Sequence, residues 1–298
     1  MTQAQISDPK IKLWMAAIKP PMYSVAIMPV WIGTAVAFAQ TKVLNVAVFS
    51  TFLVAAILIL AWENISNDVF DAETGIDKNK HHSLVNLTGN KPLIFWLGNF
   101  CLIAGLLGIL AIAIWQKDPT VFGISLLGCG LGYIYQGPPF RLGYQGLGEI
   151  ICFFAFGPLL VTAAYYSQTQ TWSMTSLAAS VIVGIPTSLI LFCSHFHQVK
   201  DDIAAGKRSP IVRLGTAKGA QLLKWITGSI YPLTLLFVLW GTFPVWTLLS
   251  WLSLPYAFKL CHHVEQNHHL PDKVSNCKFI AVKVHFWSCL FFGVGFML

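Results

Sequence analysis

Nine continuous apolar windows constrain this chain more than any other feature: residues 20–40, 43–62, 92–115, 119–136, 147–166, 173–196, 225–241, 243–261 and 279–298. A bilayer core about 30 Å thick is crossed by a helix of about 20 apolar residues, whose backbone groups are all satisfied within the segment. The windows do not alternate apolar with polar, so they are unsuited to the strands of a membrane barrel. Only 10% of the 298 residues are charged and 55% are hydrophobic, whereas about a quarter of a soluble domain is charged. The expected fold is therefore all-α: a polytopic membrane protein built as a nine-transmembrane-helix bundle. Windows 119–136, 225–241 and 243–261 are its short or interrupted members. No Pro-, Gly- or Ser-rich linker divides the chain, so residues 1–298 are expected to form a single domain.

Positive charge orients such a bundle. With nine spans, every Lys and Arg except Lys42, Lys117 and Lys283 falls on one side, which is expected to be cytoplasmic. The net charge of +7 thus records topology, and no nucleic-acid partner is expected. Eleven of the twelve acids share that side, Asp118 being the exception. The seven cysteines are scattered without a C-x-x-C pair and read as small hydrophobes. "AVAFA" at the end of the first span looks a little like a signal-peptidase site, but eight spans follow and an uncleaved first helix is expected.

Topology does not explain why acids cluster. "WENISNDVFDAETGIDKNKHHS", residues 62–83, places Asp68, Asp71, Glu73 and Asp77 within ten positions directly after an apolar run. Asn67, Asp71 and Gly75 recur in spacing as Gln198, Asp202 and Gly206. Residues four apart share a helix face, so each set would aim an amide and an acid the same way before glycine ends the helix. Polar groups this close to membrane depth face a cavity or the bundle interior, which assigns Glu63, Asn64, Asn67, Asp68 and Asp71 to a cavity wall. Glu73 reads as part of a solvated helix end.

Mg²⁺ binds through one or two carboxylates plus substrate phosphates, and Asp68, Asp71, Asp77 and Asp202 suit that role. Lys78, Lys80, Lys200, Lys207 and Arg208 are interleaved with them. Acids beside bases point to a metal that holds a phosphorylated ligand. Apolar, aromatic helices behind the site would accept a hydrocarbon tail, and aromatic faces stabilise an allylic cation formed when diphosphate leaves.

These residues resemble a known family. "NISNDVFDAETGID" and "QVKDDIAAGKRSPIVRLG" are similar to the two aspartate-rich motifs of the UbiA superfamily of intramembrane prenyltransferases, over nearly the whole chain. "YQGPPFRLGYQGLGE" at 135–149 and "KPPMYSVAIMPVWIGTAVA" at 19–37 resemble its naphthoate branch. "HFHQ" at 195–198 is similar to the cyanobacterial and plant form, which uses phytyl diphosphate. The resemblance implies Mg²⁺ held by Asp68, Asp71, Asp77 and Asp202, with Asp68, Asp71 and Asp202 catalytic. It implies substrate contacts from Asn64, Asn67, Lys78, Tyr135, Arg141, His197, Gln198, Lys207 and Arg208. The sequence departs at Gln198, where many members carry the second motif's first Asp, and the number of metal ions there stays open.

The implied reaction transfers a phytyl or other prenyl group from its diphosphate to 1,4-dihydroxy-2-naphthoate, with loss of CO₂ and diphosphate, in phylloquinone or menaquinone synthesis. Homogentisate and 4-hydroxybenzoate stay open as acceptors, and His195 or His197 as a base. Glu149 would cap the fifth helix. His262, His263, His268 and His269 read as a solvated loop. The site would work at the cytoplasmic face of the plasma (inner) or thylakoid membrane. A cation-coupled secondary transporter is the alternative from another class, and it predicts acids near the midplane reachable from both sides.

Overall fold

The computed structural model describes residues 9–76 and 83–298, with side chains from residue 13 onward. Among the described residues every regular element is helical. In chain order these are α1 (Pro9–Ile18), a 3₁₀ turn (Pro20–Tyr23), α2 (Ser24–Thr41), α3 (Val46–Thr74), α4 (Leu84–Thr88), α5 (Lys91–Gln116), α6 (Thr120–Gln136) and α7 (Gly148–Phe154). A π turn (Ala155–Leu159) continues α7 into α8 (Leu160–Thr169), followed by α9 (Met174–Ser194), α10 (Val199–Ala204), α11 (Pro210–Leu214) and α12 (Thr216–Leu239). A 3₁₀ stretch (Val245–Ser253), α13 (Leu254–Asn267), α14 (Pro271–Val274) and α15 (Cys277–Met297) complete the chain.

Among the described residues, seven segments are long and apolar enough to cross a membrane: Leu13–Thr41, Val46–Thr74, Lys91–Gln116, Gly148–Thr169, Met174–Ser194, Thr216–Leu239 and Pro271–Met297. The window at 119–136 becomes the 17-residue α6, and the window at 243–261 is divided between the 3₁₀ stretch and α13. The window at 225–241 understates α12, whose first turns carry Lys218 and Lys224.

Local sequence fixes the helix ends. Asn45, Ser83, Asn90 and Ser173 each accept a hydrogen bond from a backbone N–H in the first turn of α3, α4, α5 and α9, satisfying donors the helix leaves unpaired. Gly75 ends α3 with φ 74°, where a side chain would be strained. Pro158 lacks an N–H, and the chain accommodates it with the π turn.

At the centre, α2 packs against α8 and α15, and α15 also packs against α9. Small residues permit this closeness. A Cβ on Gly33 would meet the Val161 carbonyl and stand 2.8 Å from Ala164 Cβ. The lipid-like exposure of Trp96, Phe100, Leu107, Ile114 and Trp115 marks α5 as peripheral, held mainly by α3. Hydrogen bonds of Asn45 to Gln168, Tyr166 to Asp118 and Gln116 to Ser167 gather one set of connections at one end of the bundle. The acid-bearing segments gather at the other.

Candidate active site

Three elements meet at the second end: the last turns of α3, the loop between α6 and α7, and the segment from His195 to Ser209. Tyr144 ties them together. Its hydroxyl donates to Asp71 Oδ1 at 3.1 Å and lies 2.7 Å from Thr74 Oγ1, its carbonyl accepts the Arg208 N–H at 2.8 Å, and Lys207 Nζ stands 5.6 Å from its ring centre. Burial and the neighbouring Asp71 carboxylate push the Tyr144 hydroxyl well above the ordinary phenol range, so it is a donor at neutral pH. Tyr135 is fixed as tightly: Cβ atoms on Gly143 and Gly148 would lie 2.5 and 2.8 Å from its ring, so only glycine fits on either side.

The second cluster centres on Asp202, which is fully buried. Its Oδ2 accepts from Ser209 Oγ at 2.7 Å and faces His195 Nδ1 at 3.1 Å. Its Oδ1 has no hydrogen bond and faces Lys207 Nζ at 3.7 Å. Burial alone would raise the Asp202 carboxyl, but the His195 hydrogen bond, the Lys207 charge and the Ser209 hydroxyl outweigh it and hold it below its usual value. It is therefore an anion with one oxygen anchored and the other available.

Between the clusters lies a chamber of about 1420 Å³, walled by Lys19, Asn64, Asn67, Asp71, Tyr135, His197, Gln198, Asp201, Asp202 and Lys207 among others. It shares Asn64, Asn67, Tyr135, Gln136 and Cys152 with an adjoining space of about 900 Å³ lined mostly by apolar groups, including Trp62, Phe70, Ile151 and Phe156. That space in turn shares Leu60, Glu63 and Phe156 with a third, of about 470 Å³, which lies between α3, α6 and α8. A polar mouth thus leads into an apolar passage that runs down the bundle.

The structure brings together most, though not all, of the residues expected from sequence. Asp71, Asp202, Asn64, Asn67, Tyr135, His197, Gln198 and Lys207 line the chamber. Asp77 and Lys78 lie outside the described residues. Asp68 is buried but sits about 100° round α3 from Asn67, beside the chamber rather than in it. It accepts the Leu84 N–H at 2.9 Å and stands 3.8 Å from Lys19 Nζ, which does line the chamber. Arg141 is drawn off by Glu73 at 3.3 Å, and Arg208 is exposed. Glu73, also paired with Lys91, is part of a partly exposed helix end, as its sequence position suggests.

Several expectations are corrected. The two spacing-related sets are not both on continuous helices: α3 runs through Asn67 and Asp71, whereas α9 stops at Ser194 and Gln198 becomes the N-cap of the separate α10. Gly206, at φ 72°, still turns the chain after α10. Glu149 does lie in the first turn of α7, where its charge suits the helix N-terminus, but the N-cap position is Leu147 and Glu149 Oε1 faces His195 Nε2 at 3.4 Å. His195 is no free base, since carboxylates face both of its ring nitrogens. His262 and His263 lie on α13, not in a loop. Lys19, Tyr144 and Ser209 were missed as site residues, although Tyr144 sits inside the quoted 135–149 stretch.

A divalent cation fits this donor set in a specific sense. Among the described residues no three His, Cys, Asp or Glu side chains converge to enclose an ion by themselves. Asp202 Oδ1, which is buried and faces Lys207 without a hydrogen bond, and the buried Asn67 Oδ1, which has no hydrogen bond, are hard oxygen donors at the chamber wall, the kind that Mg²⁺ takes when phosphate oxygens complete its shell.

The comparisons with known proteins show the family. The chain is 55% identical over 285 residues to the 2-carboxy-1,4-naphthoquinone phytyltransferase of Synechocystis sp., covering 96% of this chain and 93% of that protein. It is 42% identical to the chloroplastic 2-carboxy-1,4-naphthoquinone phytyltransferase of Arabidopsis thaliana, covering 93% and 75%. Among solved structures, a UbiA homolog from Archaeoglobus fulgidus bound to GPP and Mg²⁺ shares the fold at TM-score 0.59 and 15% identity, covering 96% of this chain and 99% of that one. The profile of the UbiA prenyltransferase family matches residues 26–290. A helical membrane protein whose paired acid clusters open onto an apolar passage, and whose sequence matches that profile almost end to end, belongs to the UbiA prenyltransferase family.

Proposed function

We propose that this protein transfers a phytyl group, or another prenyl group, from its diphosphate to 1,4-dihydroxy-2-naphthoate, releasing CO₂ and diphosphate. The observation that carries the reading is the continuity between the charged chamber and the apolar passage, because a diphosphate with a long hydrocarbon tail needs both at once. The identity of the tail and of the ring is carried by the likeness to the two phytyltransferases. One domain, residues 1–298, does the work, and α6 and the Val245–Asn267 segment complete nine crossings. The chamber opens on the cytoplasmic face of a plasma or thylakoid membrane, where the positive charge of the connections belongs.

Asp71 and Asp202 would hold Mg²⁺ on the diphosphate, with Asn67 Oδ1 as a further oxygen and Asp77 by its place in the motif, while Asn64 and Lys78 would contact the diphosphate itself. When bound there, Mg²⁺ neutralises diphosphate charge and so improves the leaving group. Lys19 and Lys207 contribute positive charge at the same place, and Gln198 and His197 offer hydrogen bonds to the substrate. Arg208, which is exposed, and Arg141, which is paired with Glu73, lie outside the chamber lining and add to the positive field that draws in the anionic donor. Asp68 keeps Lys19 in position and pins α4, so its loss also costs activity. Phe70, Tyr133, Tyr135 and Phe156 line the passage, where aromatic rings stabilise a developing allylic cation and keep water away.

Purified protein in detergent, supplied with Mg²⁺, phytyl diphosphate and dihydroxynaphthoate, is expected to yield a prenylated, decarboxylated product. Asp71→Ala, Asp202→Ala and Asp68→Ala should nearly abolish it. Wild-type turnover that persists in saturating EDTA refutes the metal assignment, and a panel with homogentisate and 4-hydroxybenzoate fixes the acceptor.

A further inference from the structure

One carboxyl on the inner face of α3 is left over from this scheme. Glu63 lies one turn below Asn67 and two below Asp71, so these three share a face. Eight residues at 1.5 Å each put it about 12 Å from Asp71 along the helix. There it lines both apolar spaces at their junction, among Leu60, Cys129, Gly132 and Phe156. Gly132 makes its room: a Cβ at that position would stand 2.6 Å from Glu63 Oε1. Among the described residues the Glu63 carboxyl has no hydrogen-bond or ion-pair partner.

A carboxyl at membrane depth without a partner is costly, and such groups mark ligands or pathways. The tail of a prenyl diphosphate has no hydrogen to donate, so it does not compensate this group. A hydroxyl on an aromatic ring does. A leaving diphosphate at the Asp71 level, the allylic carbon, the attacked ring carbon with the hydroxyl of its neighbour, and one hydrogen bond together bridge a gap of this order.

We propose that Glu63 binds a ring hydroxyl of the aromatic acceptor and takes its proton during prenyl transfer. The inference rests on the aromatic prenyl-transfer reading above and assigns its acceptor end. The ring carbon bearing the carboxylate forms its bond to the allylic carbon as the allylic C–O bond breaks and diphosphate leaves with the electron pair. The neighbouring ring C–OH becomes a carbonyl, and its proton passes to the Glu63 carboxylate. When the bond to the carboxylate breaks and CO₂ departs, that electron pair returns to the ring and the oxygen recovers the proton from Glu63. No net proton and no oxidant are needed. Because Glu63 repels the acceptor's own carboxylate, that group is directed toward the Lys19 and Lys207 side, which fixes the orientation of the ring.

The test compares Glu63→Gln, Glu63→Leu and Gly132→Ala with wild type, in detergent with Mg²⁺, phytyl diphosphate and dihydroxynaphthoate. Glu63→Gln should lower kcat by about 100-fold, the scale of a lost proton acceptor, with donor KM unchanged. Glu63→Leu should in addition raise acceptor KM about tenfold, as a lost hydrogen bond to a charged group does. Gly132→Ala should shift the carboxyl and raise acceptor KM while leaving donor KM alone. An acceptor analogue methylated at the hydroxyl should bind wild type more weakly than its parent, and Glu63→Leu should not distinguish the two. Wild-type kcat and acceptor KM in Glu63→Leu overturn the proposal, as does an equal loss of donor affinity in all three variants. If Glu63→Leu does not fold, Glu63→Gln and Gly132→Ala decide by the same criteria. A wild-type protein idle with every aromatic acceptor sinks the prenyl-transfer reading itself, and this proposal with it; activity on a different phenol moves the same series to that phenol.

Discussion

Replacing His195 tests whether Asp202 works because it is held from behind. His195 is buried, with Nδ1 3.1 Å from Asp202 Oδ2 and Nε2 3.4 Å from Glu149 Oε1. With Nδ1 protonated the ring donates to Asp202 Oδ2, whereas the approach of Nε2 to Glu149 is a charge contact and not a hydrogen bond. In His195→Ala, Asp202 keeps only the Ser209 hydrogen bond at Oδ2, and Oδ1, held by nothing but the Lys207 charge at 3.7 Å, loses its fixed direction. A hydrogen bond to a charged group contributes about 1.5–3 kcal/mol, and each 1.4 kcal/mol is roughly tenfold in an equilibrium. The Mg²⁺ concentration giving half-maximal turnover should therefore rise roughly 10- to 100-fold. His195→Asn, whose amide can occupy the place of Nδ1, should recover part of that loss, while His195→Gln should recover less. The assay is an Mg²⁺ titration of product formation at saturating donor and acceptor, with monodispersity in detergent as the control for folding. Equal loss in His195→Asn and His195→Ala, or a fall in kcat with unchanged Mg²⁺ dependence, would refute the positioning argument.

The bridge between the clusters should be weaker. Tyr144→Phe removes the hydroxyl from Asp71 and Thr74 but keeps the ring beside Lys207, so activity should fall only about five- to tenfold, a loss of about 1 kcal/mol, as read from kcat/KM. Gly33→Ala forces a Cβ against the Val161 carbonyl and Ala164 where α2 crosses α8, an overpacking expected to cost about 1–3 kcal/mol. A thermal-unfolding scan in detergent should show a clear fall in Tm; an unchanged Tm would mean that α2 and α8 separate without cost.

Much of the fold follows from a local rule, which is why the sequence discloses it. An apolar run of bilayer length must close its own hydrogen bonds, and helix does this without reference to neighbours. Asn45, Ser83, Asn90 and Ser173 likewise act within one turn of their own position. The two short windows are less legible, because α6 falls below bilayer length and Pro244 begins a 3₁₀ stretch where continuous helix is expected. At the site, residue type and spacing pick out Asp71 and Asp202, since acids are scarce in this chain and have few reasons to cluster at membrane depth.

The helical class, the acid clusters and the chemistry they suit are therefore written in the chain itself. Which of those residues face one another is set by how the helices pack. Asp68 and Asp71 are near-equivalent in the motif, yet the rotation of α3 against α4 gives Asp68 to the Leu84 amide and leaves Asp71 in the chamber. His195 looks like a free base until α7 and α10 place carboxylates on both of its nitrogens. Glu63 is assigned to a cavity wall by its place after the apolar run, but that α6 supplies a glycine opposite it and no partner is visible only in the packing. The physical reason is the same in each case: a helix's pitch is written in its own residues, but which of its faces meets which neighbour depends on packing between segments far apart in the chain.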